Sequence, residues 1–304
     1  MEPFKVHILG CGSALPTLRH YASSQVVELR DKLFMVDCGE GTQMQLRRMG
    51  LRFTKILVIF ISHLHGDHCF GLMGLLSTFG MLGRTARLRV YAPMQYDNLF
   101  TLQRELFCSG LGYEVDFIPV DTTLRKVIYD DRSLTVETVP LDHRVPCCGF
   151  LFREKPTLPH IRRDMIDFYE IPVSQINNIK AGLGWTSPEG EFVPSSRLTT
   201  PADAPRSYAY CSDTRYMPAL HKQLSGVSTL YHESTYTTEH IARARLYYHS
   251  TAAQAAQVAR DAEAGKLLLG HYSARYNNEQ VLLDEARAIF PNAFLTDERM
   301  VFDV

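Results

Sequence analysis

The stretch Ser62-His63-Leu64-His65-Gly66-Asp67-His68 carries more potential chemistry than any other part of the chain. Three imidazoles and a carboxylate follow directly on the apolar run Ile56 to Ile61. Imidazole nitrogen and carboxylate oxygen suit Zn²⁺, and also Mn²⁺ or Fe²⁺. Alternate residues on an extended backbone point the same way, so His63 and His65 can grip one ion. Asp67 and His68, just past the turn at Gly66, can reach a second ion nearby. A lone histidine after a strand is usually a hydrogen-bonded structural residue. Four ligand-type side chains packed this closely point instead to a metal centre.

The elements that must position this cluster belong to an ordinary globular chain. Its 304 residues are 45% hydrophobic and 21% charged, with a formal net charge of −1. That composition fits a single large folded domain and offers no global basic field for a polyanion. No apolar run approaches the ~20 residues of a membrane span, and Met1 to Lys5 lacks the pattern of a signal peptide. Seven cysteines without a C-x-x-C pair read as reduced, buried thiols of a cytoplasmic protein. Cys69, beside the cluster, reads as core filler. The Gly10-Cys11-Gly12-Ser13 turn lacks the spacing of a phosphate-binding loop.

Along the chain, Phe4–Leu9, Gln25–Leu29, Leu33–Val36, Lys55–Ile61, Leu88–Tyr91, Tyr113–Pro119, Ser133–Leu141 and Gly149–Phe152 read as strands. Helical patterns occupy Thr42–Met49, Gly71–Phe79 and Asn98–Phe107. From Arg153 to Arg206 periodicity fades and prolines accumulate, with one helix possible over Ile161–Tyr169. We read 153–206 as an arm inserted in a single domain spanning 1–304, with too little apolar content for its own core. Strands return at Tyr208–Cys211, Thr229–Tyr231 and Lys266–Leu269, with a T-x-x-Q capping box at Thr251 opening a helix. At the ends of successive strands stand His143, Asp213, Glu233 and His271. Repetition of one arrangement argues for one shared site on loops held by a rigid sheet.

In order and spacing, His63-Leu-His-Gly-Asp-His68, His143, Asp213 and His271 resemble the ligand series of the metallo-β-lactamase fold. More narrowly the chain is similar to the short form of the ribonuclease Z family, which trims transfer-RNA precursors at their 3′ ends. The likeness rests on Leu9-Gly-Cys-Gly-Ser-Ala, Phe34-Met-Val-Asp-Cys-Gly-Glu-Gly-Thr-Gln43, Tyr210-Cys-Ser-Asp-Thr-Arg215, His232-Glu-Ser-Thr235, His249-Ser-Thr251 and Gly270-His-Tyr-Ser-Ala-Arg-Tyr276. It implies an α/β fold, a four-layer αββα sandwich, with 153–206 as the substrate-binding arm. It also implies two Zn²⁺ per subunit, one held by His63, His65 and His143 and the other by Asp67, His68 and His271. Asp213 would bridge the two. Such ions make a water nucleophilic near neutral pH. Asp67 would orient that water or take its proton, and His249, positioned by Glu233, would protonate the leaving oxygen.

The expected activity is metal-dependent phosphodiester hydrolysis by an endoribonuclease, with precursor tRNA as partner and a 3′-hydroxyl left on the tRNA. A homodimer is implied, and neither a membrane nor DNA is expected as a partner. Two departures qualify the likeness. The family's P-x-K-x-R-N loop is here Pro16-Thr-Leu-Arg-His-Tyr21, leaving Arg19 and Tyr21 as candidate substrate contacts. The arm's charges balance, so either Arg162 and Arg163 form a local phosphate patch or the arm grips less than its relatives' arms do. The competing expectation is a small-substrate phosphodiesterase, arylsulfatase or lactonase of the same fold.

Overall fold

The computed structural model describes residues 2–304. Two seven-stranded sheets form the body. The first runs, in spatial order, Val301–Asp303, Phe4–Gly10, Ser24–Leu29, Lys32–Val36, Ile56–Phe60, Leu88–Pro93 and Val115–Val120. Its first three pairings are antiparallel and its last three parallel. The second runs Ala293–Leu295, Lys266–Gly270, Thr229–Glu233, Ser207–Cys211, Cys148–Glu154, Leu134–Pro140 and Val127–Asp130. Here the first three pairings are the parallel ones.

The near-continuous apolar strands follow from burial on both faces. Phe34, Val36, Val58 and Phe60 of the first sheet join Phe150, Phe152, Tyr208 and Tyr210 of the second in one core. Phe60 lies 5.1 Å from Phe150 and 5.7 Å from Phe152, ring centre to ring centre. The alternate residues Leu33, Met35, Ile59 and Ile61 face outward onto Leu46, Leu72, Leu75, Leu76 and Phe100 of the helices Thr42–Arg48, Leu72–Met81 and Asp97–Phe107. On the second sheet, Ala255, Ala256 and Val258 of Ala252–Asp261, with Leu282 and Leu283 of Gln280–Arg287, complete the fourth layer. The αββα sandwich expected from the sequence is therefore present.

Two of the elements that the sequence reading does not give lie in the body. Val127–Asp130 is a strand that periodicity misses, because as a short edge strand only Tyr129 is buried. Gly66–Cys69 forms a single helical turn inside the ligand cluster.

Residues 154–205 form a compact unit of their own. It holds the helices Arg163–Phe168, Ile176–Lys180 and Ser195–Leu198 and two two-stranded ladders. Contrary to the expectation of too little apolar content, Ile171, Ile179, Trp185, Val193 and Leu198 build a small buried cluster. They are scattered singly among polar residues, so no periodic run announces them.

Candidate metal centre and catalytic site

The ligand-type residues converge because parallel strands end side by side. Ile56–Phe60 feeds the 62–68 loop, Ser207–Cys211 feeds Asp213, Thr229–Tyr231 runs on into Glu233, and Lys266–Gly270 feeds His271. Two donor groups result, one of His63, His65, His143 and Asp213, the other of Asp67, His68 and His271. In the first, His63 Nε2 and His143 Nε2 lie 3.1 and 3.2 Å from His65 Nδ1, and both lie 3.6 Å from Asp213 Oδ2. In the second, His68 Nε2 and His271 Nε2 each lie 3.4 Å from Asp67 Oδ2 and 3.2 Å from Asp213 Oδ1. The two oxygens of Asp213 thus face different groups, as a bridging carboxylate must.

A surrounding shell fixes which ring nitrogen is free. His68 Nδ1 donates to Asp37 Oδ2 at 2.7 Å, and His143 Nδ1 to the Tyr248 carbonyl at 2.9 Å. Ser62 Oγ donates to Asp37 Oδ2 at 2.9 Å and sits 3.0 Å from His63 Nδ1. Thr235 Oγ1 donates to Glu233 Oε2 at 2.5 Å and sits 2.9 Å from His271 Nδ1. In each case the second nitrogen, Nε2, is left as a lone pair toward the common centre, the arrangement of metal-bound histidines. His68 Nε2 is buried without a hydrogen-bond partner, an orphan that a bound cation would satisfy. The donors fit a metal centre.

Electrostatics agree for the first group. Burial, then the neighbouring imidazoles, push the His63 pKa well down, and burial lowers His65 and His143 as well, keeping these rings neutral. In the metal-free chain burial disfavours charge on His68, but the facing Asp213, Asp67 and Asp37 carboxylates override it and raise its pKa well above the usual range, its proton standing in the place a cation would take. Burial opposes ionisation of Asp67 and Asp213, yet the facing His68 and His271 imidazoles hold both carboxyls well below the usual range. Burial disfavours charge on His249, but the Glu233 carboxylate 2.9 Å from its Nδ1 overrides this and lifts it to about 9.

His249 is set by its local sequence. The helix Ile241–Tyr247 ends at Tyr248 in a left-handed conformation, φ 58°. The helix Ala252–Asp261 begins with the expected capping box, Gln254 N–H donating to Thr251 Oγ1 and Thr251 N–H to Gln254 Oε1. Between these two anchors His249 projects at a cavity of about 680 Å³, which His65, Asp67, Asp213 and His271 also line. Arg144, Arg243 and Arg275 line it too, and all three are exposed.

Sequence reasoning missed these arginines, although Arg275 sits inside the Gly270–Tyr276 motif. It also assigned nothing to Asp37, which is fully buried at φ 58° and accepts from Ser62 N–H, Ser62 Oγ, His68 Nδ1 and Tyr210 OH. Of the four candidate substrate contacts, Arg19 and Tyr21 are engaged by neighbouring side chains and backbone, and Arg162 and Arg163 belong to the 154–205 unit. Arg19 donates to the carbonyls of Tyr276 and Asn277 and to Glu279. Tyr21 accepts from Arg48, whose guanidinium lies over its ring. Arg162 caps the helix Arg163–Phe168 and pairs with Asp164 at 2.7 Å, while Arg163 opens that helix and is exposed.

Known proteins resemble this chain in sequence and in fold. A family model described as anti-Pycsar protein Apyc1 matches residues 4–156. Human tRNase Z, short form, superposes with a TM-score of 0.70 at 24% identity over 99% of each chain. The metallo-β-lactamase fold protein YhfI from Bacillus subtilis gives 0.70 at 17% identity over 100% of each. At such identities these structures establish the fold. The chain is also 58% identical to ribonuclease Z of Bacteroides fragilis over 99% of both proteins. It is 57% identical to ribonuclease Z of Phocaeicola vulgatus over 100% of this chain and 98% of that one. Identity of that order across the whole length places the chain in the ribonuclease Z family, endoribonucleases that hydrolyse phosphodiester bonds on a metallo-β-lactamase fold.

Proposed function

We propose that this protein removes 3′ trailers from precursor tRNA by phosphodiester hydrolysis, with two Zn²⁺ at the centre and a 3′-hydroxyl left on the tRNA. The observation that carries the reading is the pair of donor groups sharing Asp213 beside His249, in a chain 58% identical to a ribonuclease Z over its full length. His63, His65, His143 and Asp213 would hold one ion, and Asp67, His68, His271 and Asp213 the other. When bound, the ions supply Lewis acidity to a phosphoryl oxygen and make water nucleophilic near neutral pH.

The chain's own groups do the rest. Asp67, kept ionised, orients the attacking water and can take its proton. His249 carries its proton on Nδ1 toward Glu233 and a second on Nε2 toward the cavity, where it neutralises the departing ribose 3′-oxygen. Glu233 is held by Thr214 N–H at 2.8 Å and by Thr235, so it fixes the His249 ring. Arg144, Arg243 and Arg275 give the cavity mouth the positive charge that a phosphodiester chain requires. Arg19, engaged as it is, serves the substrate by tying down the loop that carries Tyr21. Arg162 and Arg163 supply the grip of the 154–205 unit, acting in a homodimer. The seven cysteines are all buried free thiols, which suits work in the reducing cytoplasm.

Incubating the zinc-loaded protein with a 3′-extended tRNA precursor and mapping both new ends tests this. The expected products are tRNA with a 3′-hydroxyl and a trailer with a 5′-phosphate. Cleavage of bis-p-nitrophenyl phosphate with the precursor left intact would overturn the reading in favour of a small-substrate phosphodiesterase.

A further inference from the structure

A second group of metal-ligating side chains stands apart from the catalytic donors, where the chain leaves its first strand. Cys11, His20, Asp297 and Glu298 bring one ligand atom each to within 4.8 Å of one another. His20 Nδ1 lies 3.3 Å from Cys11 Sγ, 3.0 Å from Glu298 Oε2 and 3.8 Å from Asp297 Oδ1, and Cys11 Sγ lies 3.7 Å from Glu298 Oε1. Donors arranged tetrahedrally around Zn²⁺ at ordinary bond lengths stand about 3.3–3.8 Å apart, which three of these four separations match, the His20–Glu298 one being shorter. The catalytic group in the same structure shows the same spacing, 3.1 to 3.6 Å.

We propose that Cys11, His20, Asp297 and Glu298 form an additional structural zinc site that fastens the 13–21 loop beside the catalytic cavity.

The shell around His20 supports this. Its Nδ1 faces the other donors while its Nε2 lies 3.4 Å from Glu279 Oε1, the carboxylate–histidine orientation typical of zinc ligands. Cys11 is fully buried and the Glu298 side chain nearly so, whereas the Asp297 side chain is 58% exposed and leaves an entry path. Two carboxylates and a thiol crowd around the His20 ring, putting like charges side by side. Zinc would resolve that conflict, the thiol proton passing to solvent on binding. The consequence for the enzyme is positional. Glu298 Oε1 accepts the Tyr21 N–H at 2.7 Å, and Ser13, Ala14 and Leu15 line the catalytic cavity.

Cobalt separates the two sites, because the catalytic donors include no sulfur. Metal-free full-length protein is titrated with Co²⁺ and the near-ultraviolet thiolate-to-cobalt charge-transfer band is followed. The band is expected in the wild-type protein and absent from Cys11→Ser, which would also carry one zinc fewer per chain by elemental analysis. His20→Asn, which leaves the thiol and the strand exit intact, should weaken the band even where Cys11→Ser fails to fold. No band at saturating Co²⁺, a band retained in Cys11→Ser, or one of undiminished strength in His20→Asn would overturn the site and leave the ribonuclease reading untouched.

Discussion

Replacing Asp37 by Asn probes whether ring orientation, more than ligand identity, sets metal affinity at the His68 position. Asp37 is acceptor-only, and its two oxygens meet four donors at 2.7 to 2.9 Å. An Asn side chain keeps the shape but presents one oxygen and one NH₂. With the oxygen toward His68, the NH₂ meets the Ser62 N–H. With the amide flipped, the NH₂ meets His68 Nδ1, and the imidazole can accept only by moving its proton to Nε2, where the metal must bind. A donor left without an acceptor in a buried site costs about 1–3 kcal/mol in either orientation. Loss of such a shell contact lowers metal affinity or activity about 10–100-fold, which is about 1.4–2.7 kcal/mol. The expected phenotype of Asp37→Asn is a selective one. The ion held by Asp67, His68 and His271 weakens by that factor, while the one at His63, His65 and His143 is less affected, since Ser62 can still accept from His63. Competition with a chromophoric chelator, monitored as two separate binding events, measures this. Equal weakening of both events, or wild-type affinity at both, would refute the argument from tautomer control.

Asp213→Ala should abolish binding of both ions and activity together, because each of its oxygens faces a different donor group, as metal content and precursor cleavage would report. His249→Ala should retain both metals and lose turnover about 10²–10⁴-fold; metal loss in that variant would contradict its role. His249 has its pKa raised from 6.5 to about 9 against the effect of burial, so its proton should be lost only as pH rises through about 9 in the metal-free chain. Glu233→Gln should lower that midpoint, since the Glu233 charge is the largest raising cause and only the weaker pull of the Asp213 and Asp67 carboxylates then opposes burial, and NMR titration of the ring would show it. Phe60→Ala, at the junction of the two sheets, should cost about 3–5 kcal/mol in chemical denaturation.

The metal-ligand pattern was legible because each residue sits at or just past the end of a strongly apolar strand, where sequence reasoning works best. Asp213 and His271 come together because the parallel strands before them terminate in register, while His63 to His68 leave a strand of the first sheet and His143 follows the antiparallel strand Leu134–Pro140. The Thr251–Gln254 capping box was legible for a related reason, being a local signal with a local consequence. Asp37 was not, although it lies inside a quoted motif. Its importance comes from Ser62, His68 and Tyr210, which are 25, 31 and 173 positions away. The cluster of Ile171, Ile179, Trp185, Val193 and Leu198 escaped because a small core assembled from isolated apolar residues has no period.

Backbone strain connects the legible part of the site to the illegible part. Asp37, Tyr248 and His271 all hold left-handed conformations, φ 58°, 58° and 59°, that residues other than glycine seldom adopt. Each costs about 1–3 kcal/mol, and each is opposed by contacts the conformation itself makes possible. Asp37 gains its four donors, the Tyr248 carbonyl turns to accept from His143, and His271 leaves its strand with Nδ1 against Thr235 and Nε2 toward Asp213. A glycine at any of the three would remove the strain. At Asp37 and His271 it would delete the functional side chain, and at Tyr248 it would free the very carbonyl that fixes the His143 tautomer. The sequence therefore keeps side chains at three places around the candidate metal-ligating histidines where backbone preference alone would choose glycine, while Arg30, Glu170, Glu263 and Arg299 hold such conformations elsewhere in the fold.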